Sequence, residues 1–425
     1  MVQDLTGLFP MPSLKGAIAE VKKDNFSFDS WFSGDFQKNR EEYTQANFDF
    51  RKVFVRLNNQ FNYSFFGKAS SPKYFIGKDN YLFSEDVLHN YLGEGAMVSD
   101  SIRMHLEKLK FVQDTLQKLN TRLVFIIAPA KASTCLDKIP TSMWKDKKQN
   151  NNYDFFVKHA KELKIDFIDY NAYFKQWRKT TTFPLFPPKG VHWSIYSTTY
   201  VIDSLSRYIE FHQKTKLATY NWSKTEYLEA KGSDVDVENV FNLMSTIDTP
   251  KLPYRRLIIQ KRNNDSLKVL AIGDSFYGEL FANGMKHVLP PTNEFWFYGR
   301  VSKSLDSNTA NDLHFYQLNF KEKIKESDVI MLIYNESNLG PVGYVMIDRL
   351  YRLFTNQSLV LPVDEEFSEH VKERIVAFQK DDNRMGEIKE LALLKKITVD
   401  SMLEVNATMS VEYDIWNGKI ALKKR

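Results

Sequence analysis

Cysteine is almost missing from this chain: Cys135 is the only one in 425 residues. A single thiol excludes an intrachain disulfide and any zinc site built on several cysteines. Its neighbours, Ser133-Thr134 and Leu136-Asp137, include no His or Arg to lower its pKa, so it reads as an inert, buried or half-buried thiol. Long apolar runs are lacking too, and no window approaches the ~20 residues of a helical membrane span. Met1–Gly7 contains no basic residue, and Asp4 and Pro10 interrupt the apolar stretch, so no signal peptide is read there. The expectation is a cytoplasmic protein, or one whose export segment lay before Met1. Nor does one sign of charge dominate: 58 basic and 53 acidic residues leave a formal charge of +5. Basic residues gather only at Lys423-Lys424-Arg425, and the aromatics sit inside apolar runs, a pattern that argues against nucleic acid. Ligand-spaced histidines and a phosphate-binding glycine loop are absent, so neither a metal nor a cofactor is expected. Asp234, Asp236 and Glu238 read as a solvated acidic loop rather than a cation site.

What is present is hydrophobic patterning. Apolar positions Tyr43, Ala46, Phe50, Val53, Phe54, Leu57 and Phe61 follow three-and-four spacing, predicting a helix over 39–62 with a buried face. Tyr74-Phe75-Ile76 and Tyr81-Leu82-Phe83 flank Gly77–Asn80 as a hairpin. Then helices alternate with apolar strands. A helix over 99–119 leads into Leu123–Ala128; a helix over 152–163 precedes a strand over 166–170; a helix over 195–212 precedes a strand over 267–272; and Val329–Tyr334 makes a further strand. Strands apolar on both faces belong in a parallel sheet covered by helices, so the expected fold class is α/β, a three-layer αβα sheet. The polar stretch 214–264 is too long for a plain connection and reads as an excursion with short elements of its own. The expected organisation is an N-terminal helical and aromatic extension (1–70), a catalytic α/β domain (71–360) and a helical C-terminal appendage (361–425). In that appendage, helices near 366–378 and 385–396 precede a third capped by Thr398 or Asp400.

The strongest chemical signal is Gly273-Asp274-Ser275-Phe276, directly after a strand and before a helix, where α/β sheets place ligand sites. Gly273 permits a sharp turn there, and amides opening the helix can hold an oxyanion. The tripeptide alone is equally consistent with Asp274 or Ser275 capping a helix. A serine needs a base. Of eight histidines, His105, His159 and His370 fall on helices among charges, whereas His192 lies in Phe186-Pro-Pro-Lys-Gly-Val-His-Trp-Ser194, a loop preceding a helix. There it either serves as base or packs on Trp193.

Gly-Asp-Ser-Phe after a strand, with Gly-Val-His-Trp-Ser upstream, resembles the alginate O-acetyltransferase family of AlgJ/AlgX type, whose fold is a rearranged SGNH hydrolase. Ser30–Gln37, Phe50-Arg51 through Gln60, Ile76–Phe83, Ala128-Pro-Ala-Lys131 and Glu336–Leu339 extend the resemblance over about residues 20–350. It implies a Ser-His-Asp device in which Ser275 takes up an acetyl group and His192 is the base. It further implies a polysaccharide or oligosaccharide substrate, a membrane-bound O-acyltransferase partner, and a periplasmic location reached through an N-terminal segment or anchor ahead of Met1. One position departs from the pattern: the family's acid two residues before the histidine is here Gly190. Glu336, or equally Asp203, is a candidate to orient His192 instead. A backbone carbonyl could also do so, or the protein could bind glycans without turning them over. Asn338, with Asn335 as competitor, is a candidate oxyanion donor beside the Ser275 amide and Gly273, and Asp274 and Trp193 read as structural. The expected activity is transfer of acetyl from serine to a sugar hydroxyl, with a carbohydrate esterase or a non-catalytic adaptor as alternatives.

Overall fold

The computed structural model of the chain describes residues 12, 14–15, 25–47, 50–71, 73–145, 150–261, 266–299, 301–303, 313–314, 320–357, 359, 362–395, 398–416 and 420. Met1–Gly7 and Lys423–Arg425, on which two of the readings above fall, lie outside them. The chain forms two compact units, residues 1–347 and 348–425.

The first unit is built on seven strands: β1 (Arg122–Ala128), β2 (Phe167–Asp169), β3 (Val269–Gly273), β4 (Glu294–Phe297), β5 (Val301–Lys303), β6 (Leu313–His314) and β7 (Val329–Asn335). Their order is β6-β5-β4-β3-β7-β1-β2. The five strands from β4 to β2 run parallel, and β5 and β6 add an antiparallel edge. β7 sits in the middle, paired along its length with β1 and over five residues with β3, and every one of its residues is buried. Alternate side chains of β1 serve opposite layers. Val124, Ile126 and Ala128 join the cluster containing Trp193, Ile202, Leu205 and Phe276, whereas Phe125 stacks against Phe156 and Tyr334. Both faces are therefore covered, and the fold is the three-layer α/β sheet that the apolar strands implied.

Five helices of this unit matter below: α1 (Arg51–Phe66), α2 (Ser99–Lys118), α3 (Asn152–Glu162), α4 (Ile195–Gln213) and α5 (Asp236–Phe241). A sixth, α6 (Ser275–Leu280), follows β3 immediately. The hairpin is present, with Phe75 opposite Phe83. The excursion carries short strands and α5. Cys135 is buried, and burial pushes its thiol up to about 11, consistent with an inert role. His105 stacks on Tyr344, and His159 is buried against Ser99.

One helix corrects the expectation. The predicted helix over 39–62 is instead two, Asp35–Asn47 and α1. On α1 the spaced apolar residues are not buried: Leu57, Phe61 and Phe65 face outward, while Arg56 and Asn59 bond the carbonyls of Leu243 and Phe241. Periodicity identifies a face, but which face packs depends on polar partners elsewhere in the chain.

The second unit contains three helices, Pro362–Gln379, Asp382–Lys395 and Val399–Trp416, packed through Ile388, Ala392, Met402 and Leu403 and through Val371, Ala407 and Val411. Of the two proposed caps, Thr398 is the one used: its hydroxyl oxygen accepts the Ser401 N–H at 3.1 Å.

At the carboxyl end of β3, Gly273 is required by proximity rather than by a turn. A Cβ there would lie 2.5 Å from the Ile333 carbonyl oxygen of β7. Gly273→Ala is expected to push β3 from β7 and destabilise the fold by about 1–3 kcal/mol, to be read from urea unfolding midpoints.

Candidate active site

The carboxyl ends of β3 and β7 define the site. Asp274 leaves β3 and, fully buried, holds the turn together: one carboxylate oxygen accepts the Phe276 N–H at 3.0 Å, and the other accepts the Asn335 N–H at 2.6 Å and the Asn338 amide at 2.7 Å. Burial pushes its pKa up, and the three donors oppose that shift. Asp274 is thus the N-cap of α6 and a structural tie, which leaves Ser275 as the first residue of that helix with its hydroxyl outward.

Ser275 Oγ lies 2.9 Å from His192 Nε2, and His192 Nδ1 lies 2.7 Å from Asp236 Oδ2. These are the distances of a nucleophile, a base and an orienting acid in series. The other oxygen of Asp236 accepts the Val191 N–H at 2.9 Å, so one carboxylate fixes both the imidazole and the backbone preceding it. The His192 ring packs on Phe276, 5.0 Å between centroids, rather than on Trp193, which is buried against Phe276, Tyr170 and Phe174. Burial by itself would lower the His192 pKa. The bonded Asp236 carboxylate, with the nearby charges of Glu279 and Asp274, outweighs it and holds the imidazole above its usual range.

Asp236 was not foreseen as this partner. The three acids read as a solvated loop instead grip the histidine loop at alternate positions. Asp234 is buried, accepting the Ile195 N–H at 3.0 Å and the Tyr254 hydroxyl at 2.8 Å; Asp236 holds Val191 and His192; Glu238 is buried and pairs with Lys189 at 3.2 Å. Burial pushes Asp234 up to about 7, against its two hydrogen bonds. The available signal was the acidic cluster Asp-Val-Asp-Val-Glu itself, which the structure presents from a 3-10 turn (Asp234) and the first turn of α5 (Asp236 and Glu238).

Glu336 is not the orienter. Its carboxylate accepts from the Ser133 hydroxyl, because the 3-10 turn after β7 carries the side chain toward the 131–134 helix, away from His192. Asp203 is likewise engaged elsewhere, by Tyr220 at 2.8 Å and Trp222 at 3.0 Å. The Asn335 amide donates to the Pro129 carbonyl at 2.6 Å, whereas Asn338 is drawn to the nucleophile turn by Asp274. The backbone N–H of Ser275, the first of α6, has no acceptor among the described residues.

Gly190, where the family's acid would stand, has a positive reason to be glycine. A Cβ there would lie 2.4 Å from the Ser233 carbonyl oxygen and 3.1 Å from the Asp234 carbonyl carbon. The segment that delivers Asp236 thus occupies the space a side chain at 190 would need. The loop is also held from below. The fully buried Lys131 ammonium lies 2.7 Å from the carbonyls of Pro187 and Gly190, 2.8 Å from Leu82 and 3.0 Å from Pro188. Burial pushes this amine down to about 7. Four acceptors around one nitrogen oppose that shift, since only the ammonium has a donor for most of them.

Two outcomes follow from this packing. Gly190→Asp, which recreates an Asp-x-His pattern, is expected to cost about 1–3 kcal/mol through overpacking and to weaken activity rather than raise it, measured by thermal unfolding and ester hydrolysis. Lys131→Met leaves buried carbonyls unpaired, at about 1–3 kcal/mol for each that finds no water, and is expected to lower the melting temperature more than either exposed lysine, Lys68 or Lys73, changed to Met.

Residues 75–267 match the family model described as the SGNH hydrolase-like domain of the acetyltransferase AlgX. That segment contains His192 and Asp236 and ends shortly before Ser275. No curated protein matches the chain. Among solved structures, the O-acetyltransferase domain of Pseudomonas putida AlgJ is similar at 19% identity over 66% of this chain and 99% of that one, with a TM-score of 0.41. Pseudomonas aeruginosa AlgX is similar at 10% identity, covering 67% of each chain, with a TM-score of 0.43, and Bacillus cereus PatB1 at 10% identity over 64% and 98%, with 0.39. These structural likenesses are distant. The family match thus covers the segment that holds His192 and Asp236, and over that segment the chain is similar to the SGNH hydrolase-like domain of AlgX.

Proposed function

We propose that this protein is an O-acyltransferase of the polysaccharide O-acetyltransferase type, working through a Ser275–His192–Asp236 triad on a sugar hydroxyl of an exported glycan. The observation that carries the reading is the continuous pair of hydrogen bonds from Ser275 Oγ through His192 to Asp236. Gly190 was the feature that favoured a non-catalytic adaptor, and that reading loses its basis once an acid reaches His192 from another segment.

In the proposed reaction His192 Nε2 takes the Ser275 proton as Oγ attacks the acetyl carbonyl. The developing oxyanion is met by the Ser275 N–H and by the Asn338 amide, whose second N–H remains after the first is given to Asp274. Collapse transfers the acetyl group to Oγ, and the imidazolium returns its proton to the leaving group. A sugar hydroxyl, deprotonated by His192, then attacks the acyl-serine and carries the acetyl away. With water as acceptor the same steps give an esterase. Asp236 keeps the Nδ1 proton in place and stabilises the imidazolium. A location outside the cytoplasm and delivery of acetyl by a membrane-bound O-acyltransferase belong to this proposal. Among the described residues no helix is long and apolar enough to cross a membrane.

A chromogenic acetyl ester, with and without an oligosaccharide acceptor, tests the reading. Ser275→Ala is expected to abolish product, and Asp236→Asn to lower kcat by up to about 10⁴. Acetylated oligosaccharide detected by mass spectrometry identifies the transferase, whereas equal background from wild type and Ser275→Ala would sink the catalytic assignment. The base must be neutral to act, so activity is expected to fall as pH drops through the raised His192 pKa, with the acid limb of kcat/KM centred above 6.5. In Asp236→Asn the burial that lowers this pKa is no longer opposed by that carboxylate, so the limb is expected to move to lower pH.

A further inference from the structure

The outward face of α1 is unusual for a helix on a folded domain. Leu57, Phe61 and Phe65, spaced by four, are 48%, 52% and 72% exposed, and Phe66 beside them is 60% exposed. The helix is nevertheless fixed in place, because its opposite side is the polar one. Asn59 donates to the Phe241 carbonyl at 2.8 Å, Arg56 to the Leu243 carbonyl at 3.1 Å, and the Gln60 side-chain oxygen Oε1 accepts the N–H groups of Met244 and Ser245 at 3.2 and 3.1 Å. The aromatic stripe is thus held outward by specific bonds. A second exposed aromatic group, Phe28 at 71% and Phe32 at 83%, lies just upstream. Contiguous apolar surface of this kind marks an interaction site.

Charge indicates what it meets. From Phe50 to Lys78 the sequence carries six basic residues and no acidic one. Arg56 is turned inward and Lys52 is on that same side of the helix, but Lys68, Lys73 and Lys78 beyond its C-terminal end are exposed, and the Lys68 ammonium lies 5.9 Å from the Phe66 ring at the end of the stripe. Aromatic rings flanked by lysines are the composition of a helix that lies in the interface of a bilayer, rings among the acyl chains and ammonium groups at anionic headgroups. A second copy fits less well, since a two-fold contact would set the same lysine-bearing patch against itself.

We propose that α1 is a membrane-surface element that docks this protein, by its Leu57–Phe61–Phe65 stripe and flanking lysines, on bilayers rich in anionic lipid. The proposal is independent of the catalytic assignment.

The test is cosedimentation of the full chain with vesicles of phosphatidylcholine alone or mixed with phosphatidylglycerol. Wild type is expected to pellet with the mixed vesicles, less with phosphatidylcholine alone, and less again at high salt. The triple variant Leu57→Ser/Phe61→Ser/Phe65→Ser is expected to bind about tenfold or more weakly, and Lys68→Glu/Lys73→Glu to lose the preference for phosphatidylglycerol. Both should keep the wild-type melting temperature, because these side chains are exposed. Failure of wild type to pellet with mixed vesicles, or equal pelleting by the triple variant, would overturn the proposal. So would a wild-type dimer in size-exclusion chromatography that the triple variant converts to monomer.

Discussion

The site depends on the close approach of two segments, the irregular loop 187–192 and the 3-10 turn and opening of α5 that span 232–238. The loop has no repeating hydrogen bonds of a helix or strand, so its backbone groups need individually placed partners. Lys131 takes the carbonyls of 187, 188 and 190; Glu238 donates its N–H to the Lys189 carbonyl and pairs with the Lys189 ammonium; Asp236 takes the Val191 N–H; and Asp234 takes the N–H that opens α4. The absence of a Cβ at 190 is what lets the two segments meet. If they separate, His192 loses its acid while the nucleophile turn stays intact.

The other half of the site is anchored differently. Ser275 belongs to the sheet, through the contact of Gly273 with Ile333 and through Asp274, which joins the ends of β3 and β7. One half is therefore set by strand pairing and the other by a buried ammonium and three carboxylates. The two meet at the side-chain hydrogen bond between His192 and Ser275, with a second from the Ser233 hydroxyl to Glu279 of α6. A base held by charged groups is open to tuning in a way that the nucleophile is not: burial alone depresses the imidazole, and the surrounding carboxylates reverse the sign.

The acid's position changes how Gly190 is understood. In the Asp-x-His arrangement, acid and base share one loop and their geometry is local. Here they come from segments 44 residues apart, and the same chemical partnership is rebuilt through tertiary contact. The glycine fits that arrangement, since a Cβ at 190 would lie 2.4 Å from the Ser233 carbonyl oxygen.

By itself the sequence determined the parallel sheet, because strands apolar on both faces can only be buried between layers, and it marked Ser275 and His192, since a serine after a buried strand and a histidine in a loop carry local signatures. It also offered Thr398 or Asp400 as a cap, of which the structure uses Thr398, and read Cys135 as an inert thiol. Tertiary structure alone decided the partner of His192, sending Glu336 to Ser133 and bringing Asp236 from the excursion, because hydrogen bonds between distant segments leave no periodic trace. It likewise decided that α1 turns its polar side inward: periodicity reports that a helix has an apolar face, and only the placement of the carbonyls of Phe241 and Leu243 determines which face the protein keeps.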